Sequence, residues 1–325
     1  MKLIRKITAV MLAVMMLVPM GCTEQTAGDD ETLDIVCTIF PQYDLARSIA
    51  GETTGVNIKM LMGAGQESHD YDPSSKDIAA IHGCDIFVYT GGESDSWIRD
   101  LLESVDTENK TVISLMDIVD PMESETVEGM ETEEHDHDHG AIDHVEYDEH
   151  VWTSLKNAKT ISDAICEAMC NHMPESADAF RANFESLAGQ LDSLDQSFKE
   201  LADSVESPTI VVADRFPLLY FCKEYGIKYY AAFAGCAAST EPSSKTVQFL
   251  IEKVKEDNIP AVFKMDLSSG NVADTVAEAT GARVLTFYSC HTLSSSDFDA
   301  GETYVSMMER NLEALKTAFG AESES

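Results

Sequence analysis

Basic residues are scarce in this chain: 22 Lys and Arg stand against 58 Asp and Glu over 325 residues, a formal net charge of −36. Such a surface repels polyanions and anionic membrane faces and draws cations in, which excludes nucleic-acid binding as a main activity. The apolar run at the N-terminus, Ile7 to Met20, is too short and wrongly flanked for an ordinary membrane-spanning helix. No Cys-x-x-Cys pair occurs, so a zinc site built of cysteines is not expected. A zinc hydrolase would need a metal with an open water position and a general base. No His-Glu-x-x-His is present, and HDHDHG carries His139 where a metallo-β-lactamase-type HxHxDH pattern needs Asp.

What is present begins with Lys2, Arg5 and Lys6 before that apolar run, then Gly21-Cys22, the layout of a secretory signal. The Gly-Cys step resembles the lipobox of bacterial lipoproteins, with Pro19 where Leu is usual, and it makes Cys22 the expected lipidated residue. Cleavage nearby and free secretion is the rival reading. Residues 23–32 then form a flexible tether. Eight cysteines suit an exported protein. With Cys22 set aside, Cys236 and Cys290, both in loops of the C-terminal half, are the expected disulfide, and Cys37 with Cys84 is a second candidate pair. Cys166 and Cys170 lie one helical turn apart, and Cys222 reads as a buried thiol.

The segment Glu131 to Trp152, ETEEHDHDHGAIDHVEYDEHVW, carries five of the nine histidines. No Lys or Arg occurs between Lys110 and Lys156, so the local field is strongly negative. Imidazole with carboxylate suits a borderline divalent ion such as Zn²⁺. The segment reads as a metal-collecting loop, His135, His137, His139 and His144, followed by an ordered ligand, His150.

Strands and helices alternate on both sides of this segment. Strands are expected at Leu33–Ile39, Val56–Met62 and Asp85–Tyr89, with helices over Pro41–Ala50 and Ser75–Ile81. Leu155–His172 reads as a helix, and Phe180, Phe184, Leu187, Leu191, Leu194, Phe198 and Leu201 mark a long amphipathic one beginning at Pro174. The second half repeats the plan: strands at Thr209–Ala213, Lys228–Phe233, Ala261–Met265 and Val284–Tyr288, with a final helix over Ala300–Phe319. The expected fold class is α/β, two similar lobes with mainly parallel sheets joined by a spine helix, facing across a cleft. The expected boundaries are 33–154, including an acidic loop at 120–149, then linking helices at 155–205, then 206–325.

The stretches FPQYDLARSIAG, GQESHDYDPSSKDIAAI, DIFVYTGGESDSW, DEHVWTSLKNAKTI, TEPSSKTVQFLIEKVKE, AEATGARVL and YVSMMERNLEALK are together similar to the substrate-binding lipoproteins of zinc and manganese ABC importers. The resemblance covers about 33–320, and the His-rich loop before the second ligand points to the zinc branch. It implies a carrier rather than an enzyme. Its expected cargo is Zn²⁺, with Mn²⁺ or iron as the alternative. Its expected partner is a membrane permease, its only membrane attachment the lipid anchor, and its state a monomer. A surface metal buffer or adhesin is the alternative role. His69 and His150 match the family's first two ligands. In VVADRFPLLYF the usual ligand is missing, and Asp214 is the nearest carboxylate, with Arg215 beside it to neutralise it. His291 stands where the last ligand falls, and Glu241 is a fallback. His82 and His172 match nothing and read as structural or surface residues.

Overall fold

In the computed structural model, residues 32–66, 71–105, 108–131, 145–235 and 241–321 are described. The first half runs β1 (Leu33–Cys37), α1 (Phe40–Ala50), β2 (Val56–Met60), α2 (Ser75–Gly83), β3 (Ile86–Tyr89), α3 (Ser96–Leu102), β4 (Thr111–Ser114) and α4 (Leu115–Ile118). Its four strands form a parallel sheet in the order β2-β1-β3-β4. β1 and β3 are buried on both faces, as their unbroken apolar runs require, whereas edge strand β2 alternates between half-buried and exposed positions.

Two helices follow, α5 (Leu155–His172) and α6 (Ala177–Asp203). The second is 27 residues long, about 40 Å at 1.5 Å per residue. Its apolar stripe is buried at Phe180, Leu187, Leu191, Leu194, Phe198 and Leu201. The second half is β5 (Thr209–Phe216), α7 (Leu219–Tyr225), β6 (Lys228–Ala234), α8 (Ser244–Glu256), β7 (Ala261–Met265), α9 (Asn271–Thr280), β8 (Arg283–Phe287), α10 (Ser295–Asp299) and α11 (Tyr304–Ala318). These strands form a second parallel sheet, β6-β5-β7-β8. Strand order thus repeats between the halves: the second strand lies outside the first, and the third and fourth lie on its other side. In such sheets the crevice where the order reverses, at the carboxyl ends of the strands, receives the ligand.

One apolar cluster runs from Leu33 and Ile35 through Trp152, Phe180 and Phe198 to Phe263 and Leu315, joining the inner faces of both sheets. Smaller clusters back the outer face of each sheet. Helix α6 touches α1 of the first half and α7 and α11 of the second, so it ties the two together.

Several expectations need adjustment. The strand at Thr111–Ser114 and the helix at Ser96–Leu102 are too short to show a period. The last helix starts at Tyr304 rather than Ala300, because Thr303 accepts from Ser306 N and caps it there. Glu131, expected with the first lobe, reaches the edge of the second sheet: its N donates to Ala232 O (2.9 Å), and its carboxylate accepts from Ser243 N and Thr246 Oγ1 at the start of α8. Cys37 and Cys84 are buried free thiols, so they form no bridge. Cys290 is a buried thiol; Cys236, its expected disulfide partner, lies outside the described residues.

Phe198 tests the spine. Its ring meets Phe221 edge-on at 5.0 Å and Tyr225 at 5.5 Å. Phe198→Ala should cost about 3–5 kcal/mol, read from the urea unfolding midpoint of the metal-free protein. A loss of under about 1 kcal/mol would mean that α6 does not clamp the halves as its packing implies.

Candidate metal site

His150 opens a 3-10 turn, Val151–Thr153, just before α5. It is only 4% exposed, and Asp148 holds it twice through one oxygen: the His150 N–H donates to Oδ1 at 2.9 Å, and ring Nδ1 lies 3.1 Å from the same atom. An Nδ1–H directed at a carboxylate leaves Nε2 with its lone pair for a metal. Asp148 is itself tied down, its N donating to Met122 O and its carbonyl accepting from Tyr220 Oη (2.7 Å). Gly235 closes the other side: a Cβ there would come within 3.1 Å of His150 Cε1 and 2.9 Å of Phe216 O, so only glycine lets the ring lie this close to the backbone.

His291 arrives from the loop after β8. Cys290, with φ of +58°, turns the chain into the left-handed region just before it. Trp152 sets the distance between the two imidazoles. Its Nε1 donates to Ser289 O at 2.9 Å, and its ring lies 5.4 Å from His150 and 5.3 Å from His291. The imidazole centroids are 6.0 Å apart. The loop after β2 arrives at the same place, for Gly65 N donates to Thr292 Oγ1 (3.1 Å). His69, which follows it, lies outside the described residues, as do Cys22, His135, His137, His139 and His144.

A cavity of about 90 Å³ is lined by His150, His291, Asp214, Arg215 and Asp266, among others. Asp214 lies at a bulge in β5, and its two oxygens accept from Arg215 N (2.9 Å) and Met265 N (3.3 Å). The structure therefore brings His150, His291 and Asp214 to one cavity. Among the described residues, no three His, Cys, Asp or Glu side chains already stand at metal-holding spacing. Glu241 is exposed and does not line the cavity. His82 is exposed, and His172 meets Thr111 Oγ1 at 2.9 Å, a structural contact.

Sequence reasoning passed over the carboxylates behind His150. Glu149 is buried, its Oε1 accepting from Glu93 N and Ser94 N, and Gly92 (φ +82°) leaves room for it where a Cβ would come within 2.5 Å. Asp95 accepts from Thr90 N and Gly91 N and shares a small cleft with Glu149, His150 and His291. Burial lifts Asp95 from 3.8 to about 6; the backbone donors pull against this, and the Glu149 charge adds to it. Carboxylates that deep give a bound cation a favourable field that solvent does not screen. The signal was the Glu-His step itself, read only for its histidine.

Two repeated parallel sheets, with imidazoles brought from both halves to one cavity, define a two-lobed solute-binding protein. The profile of the ZnuA family, zinc-uptake complex component A periplasmic, matches residues 35–318, and the chain belongs to that family. It is 31% identical over 314 residues to the zinc-binding lipoprotein AdcA of Streptococcus pneumoniae, covering 96% of this chain and 60% of that protein. This chain thus spans about three fifths of that relative's length. It is 28% identical to the high-affinity zinc uptake system protein ZnuA of Bacillus subtilis, across 88% of this chain and 87% of that one. The crystal structure of the Zn(II)-bound ZnuA-like domain of the S. pneumoniae AdcA superposes with a TM-score of 0.70 at 28% identity, covering 89% of this chain and 99% of that domain. Among the described residues, no helix is long and apolar enough to cross a membrane.

Two predictions follow from this geometry. Asp148→Asn replaces the acceptor at Nδ1 with an amide and should weaken Zn²⁺ binding about 10–100-fold with the metal-free fold intact, measured by chelator competition. Unchanged affinity would remove Asp148 from the site. Asp95 predicts a pH effect. The folded protein holds this proton more tightly than the unfolded chain, so the cost of its charge is absent below about pH 4 and complete above about pH 6. The stability of Asp95→Asn relative to wild type should therefore rise between those values and then level off. Thermal unfolding of metal-free protein reads this, and a flat difference would refute it.

Proposed function

We propose that this chain is the extracytoplasmic substrate-binding component of an ABC importer, which captures Zn²⁺ and presents it to a membrane permease. The observation that carries the reading is the pair of imidazoles, His150 and His291, delivered from the two halves to one carboxylate-walled cavity. The proposed nitrogen ligands are His69, His150 and His291, completed by a carboxylate of the second half; Asp214 is the one that its sequence position offers. A nitrogen-rich set of this kind suits tetrahedral Zn²⁺, whereas Mn²⁺ favours more oxygen. An ion held by both lobes favours one inter-lobe arrangement, which a permease can read. The continuous core along α6 argues for small relative motion rather than a wide hinge.

The remaining parts fit the same role. Lipid on Cys22 would hold the protein at the outer face of the cell membrane, with 23–32 as tether. His135, His137, His139 and His144 would collect metal in weak, fast sites and raise its concentration near the cleft. The lobes in this reading are 33–154 and 206–325, linked by 155–205. The chain carries its ion without transforming it and acts as a monomer, with no nucleic-acid partner.

Competition between Zn²⁺ and Mn²⁺ tests this in wild type, His150→Ala, His291→Ala and a variant lacking 131–146. Zn²⁺ should bind far more tightly than Mn²⁺, survive loop removal, and weaken about 100-fold or more in either histidine variant. Binding that disappears with the loop would leave a metal buffer. A preference for Mn²⁺ would make the protein a manganese carrier.

A further inference from the structure

Resting on the cleft being a metal site, we propose that Asp266, rather than Asp214, supplies the carboxylate oxygen to the bound ion. Asp266 follows the last residue of β7, a central strand of the second sheet, and so stands at the carboxyl end where such sheets hold their ligands. It lines the same cavity as His150 and His291.

Its anchoring ties it to the His291 loop. Asp266 N donates to Phe287 O (3.0 Å), and its Oδ1 accepts from Ser289 N (2.9 Å), two residues before His291. The Ser289 carbonyl in turn accepts from Trp152 Nε1, the ring that spaces the imidazoles. One residue, Ser289, thus positions the carboxylate through its N–H and the indole through its carbonyl.

Asp214 is placed differently. Both of its oxygens accept backbone N–H groups of its own sheet, and the next residue, Arg215, lines the cavity as well.

Backbone strain singles out the same two loops. Three described residues other than glycine have positive φ: Asn258, Leu267 and Cys290. Cys290 (φ +58°) precedes His291, and Leu267 (φ +62°) follows Asp266. Leu267 is 48% exposed, so packing does not hold it in that unfavourable conformation. Strain of this kind persists where a site needs the neighbouring group aimed.

The experiment uses the full chain with Zn²⁺ and with Co²⁺ as a visible-spectrum probe, in Asp266→Asn, Asp266→Glu and Asp214→Asn. Asp266→Asn, whose amide oxygen can still accept from Ser289 N, should bind Zn²⁺ at least about 10-fold more weakly and shift the Co²⁺ d–d bands. Asp266→Glu keeps the charge but moves the oxygen, and should shift the bands as well, which preserves the test if the Asn variant folds poorly. Asp214→Asn should leave the bands in place. An unchanged Co²⁺ spectrum in both Asp266 variants, or a shift in Asp214→Asn alone, overturns the proposal. If His150→Ala and His291→Ala also leave Zn²⁺ binding untouched, the cleft reading fails with it; if they abolish binding, only the assignment of Asp266 falls.

Discussion

The buried indole of Trp152 is the contact on which the rest of the arrangement depends. Its Nε1–H reaches across to Ser289 at the end of the second sheet, while its own carbonyl accepts from Tyr304 Oη at the start of α11. Tyr304 N donates to Asp44 in α1, so the first helix, the turn before α5 and the last helix form one hydrogen-bonded chain across the interior. An indole offers a single donor, and leaving it unmet in so dry a place would cost more than the bond itself contributes. The 3-10 turn carrying His150 and the loop carrying His291 therefore have one mutual placement. The two imidazoles inherit it.

Much of this was legible in the sequence. The apolar runs IVC and IFV, the recurrence from Phe180 to Leu201, and the repeated strand-helix pitch were enough for two parallel sheets on a spine, because periodicity reports directly which faces are buried. The segments that escaped were short. TVIS is four residues long, and a strand of that length is defined by its neighbour, Ile86–Tyr89, rather than by its own pattern. Loop position alone also said nothing about the depth or direction of Cys290, whose thiol sits at 1% exposure in a left-handed turn.

The site was legible in part for a related reason. His150 before Val-Trp and His291 in SCHTLS stood in recognisable motifs, and both line the cavity. Carboxylates are not conspicuous in a chain with 58 of them, and their role is set by which backbone N–H groups converge on them. Asp95, Asp148, Glu149 and Asp266 each accept at least one backbone donor from a loop end, a pattern that exists only after the sheets form. Those donors fix the carboxylate oxygens in place around the cleft. The cleft is thereby an electronegative sink before any ion arrives.

The attachment of Glu131 to the edge of β6 has an evolutionary consequence. Two pins bound the acidic insertion: Glu131 against Phe233 on one side, and Glu123 against Tyr147 on the other. Both pairings are made by residues outside the interval 132–144. The entropic cost of joining two fixed points by a chain segment grows only slowly with its length, by about 0.6 kcal/mol for each doubling. Histidines can thus be gained, lost or duplicated in that interval with little effect on the register that places His150. The same pinned frame would accept an inserted sequence of another composition or length.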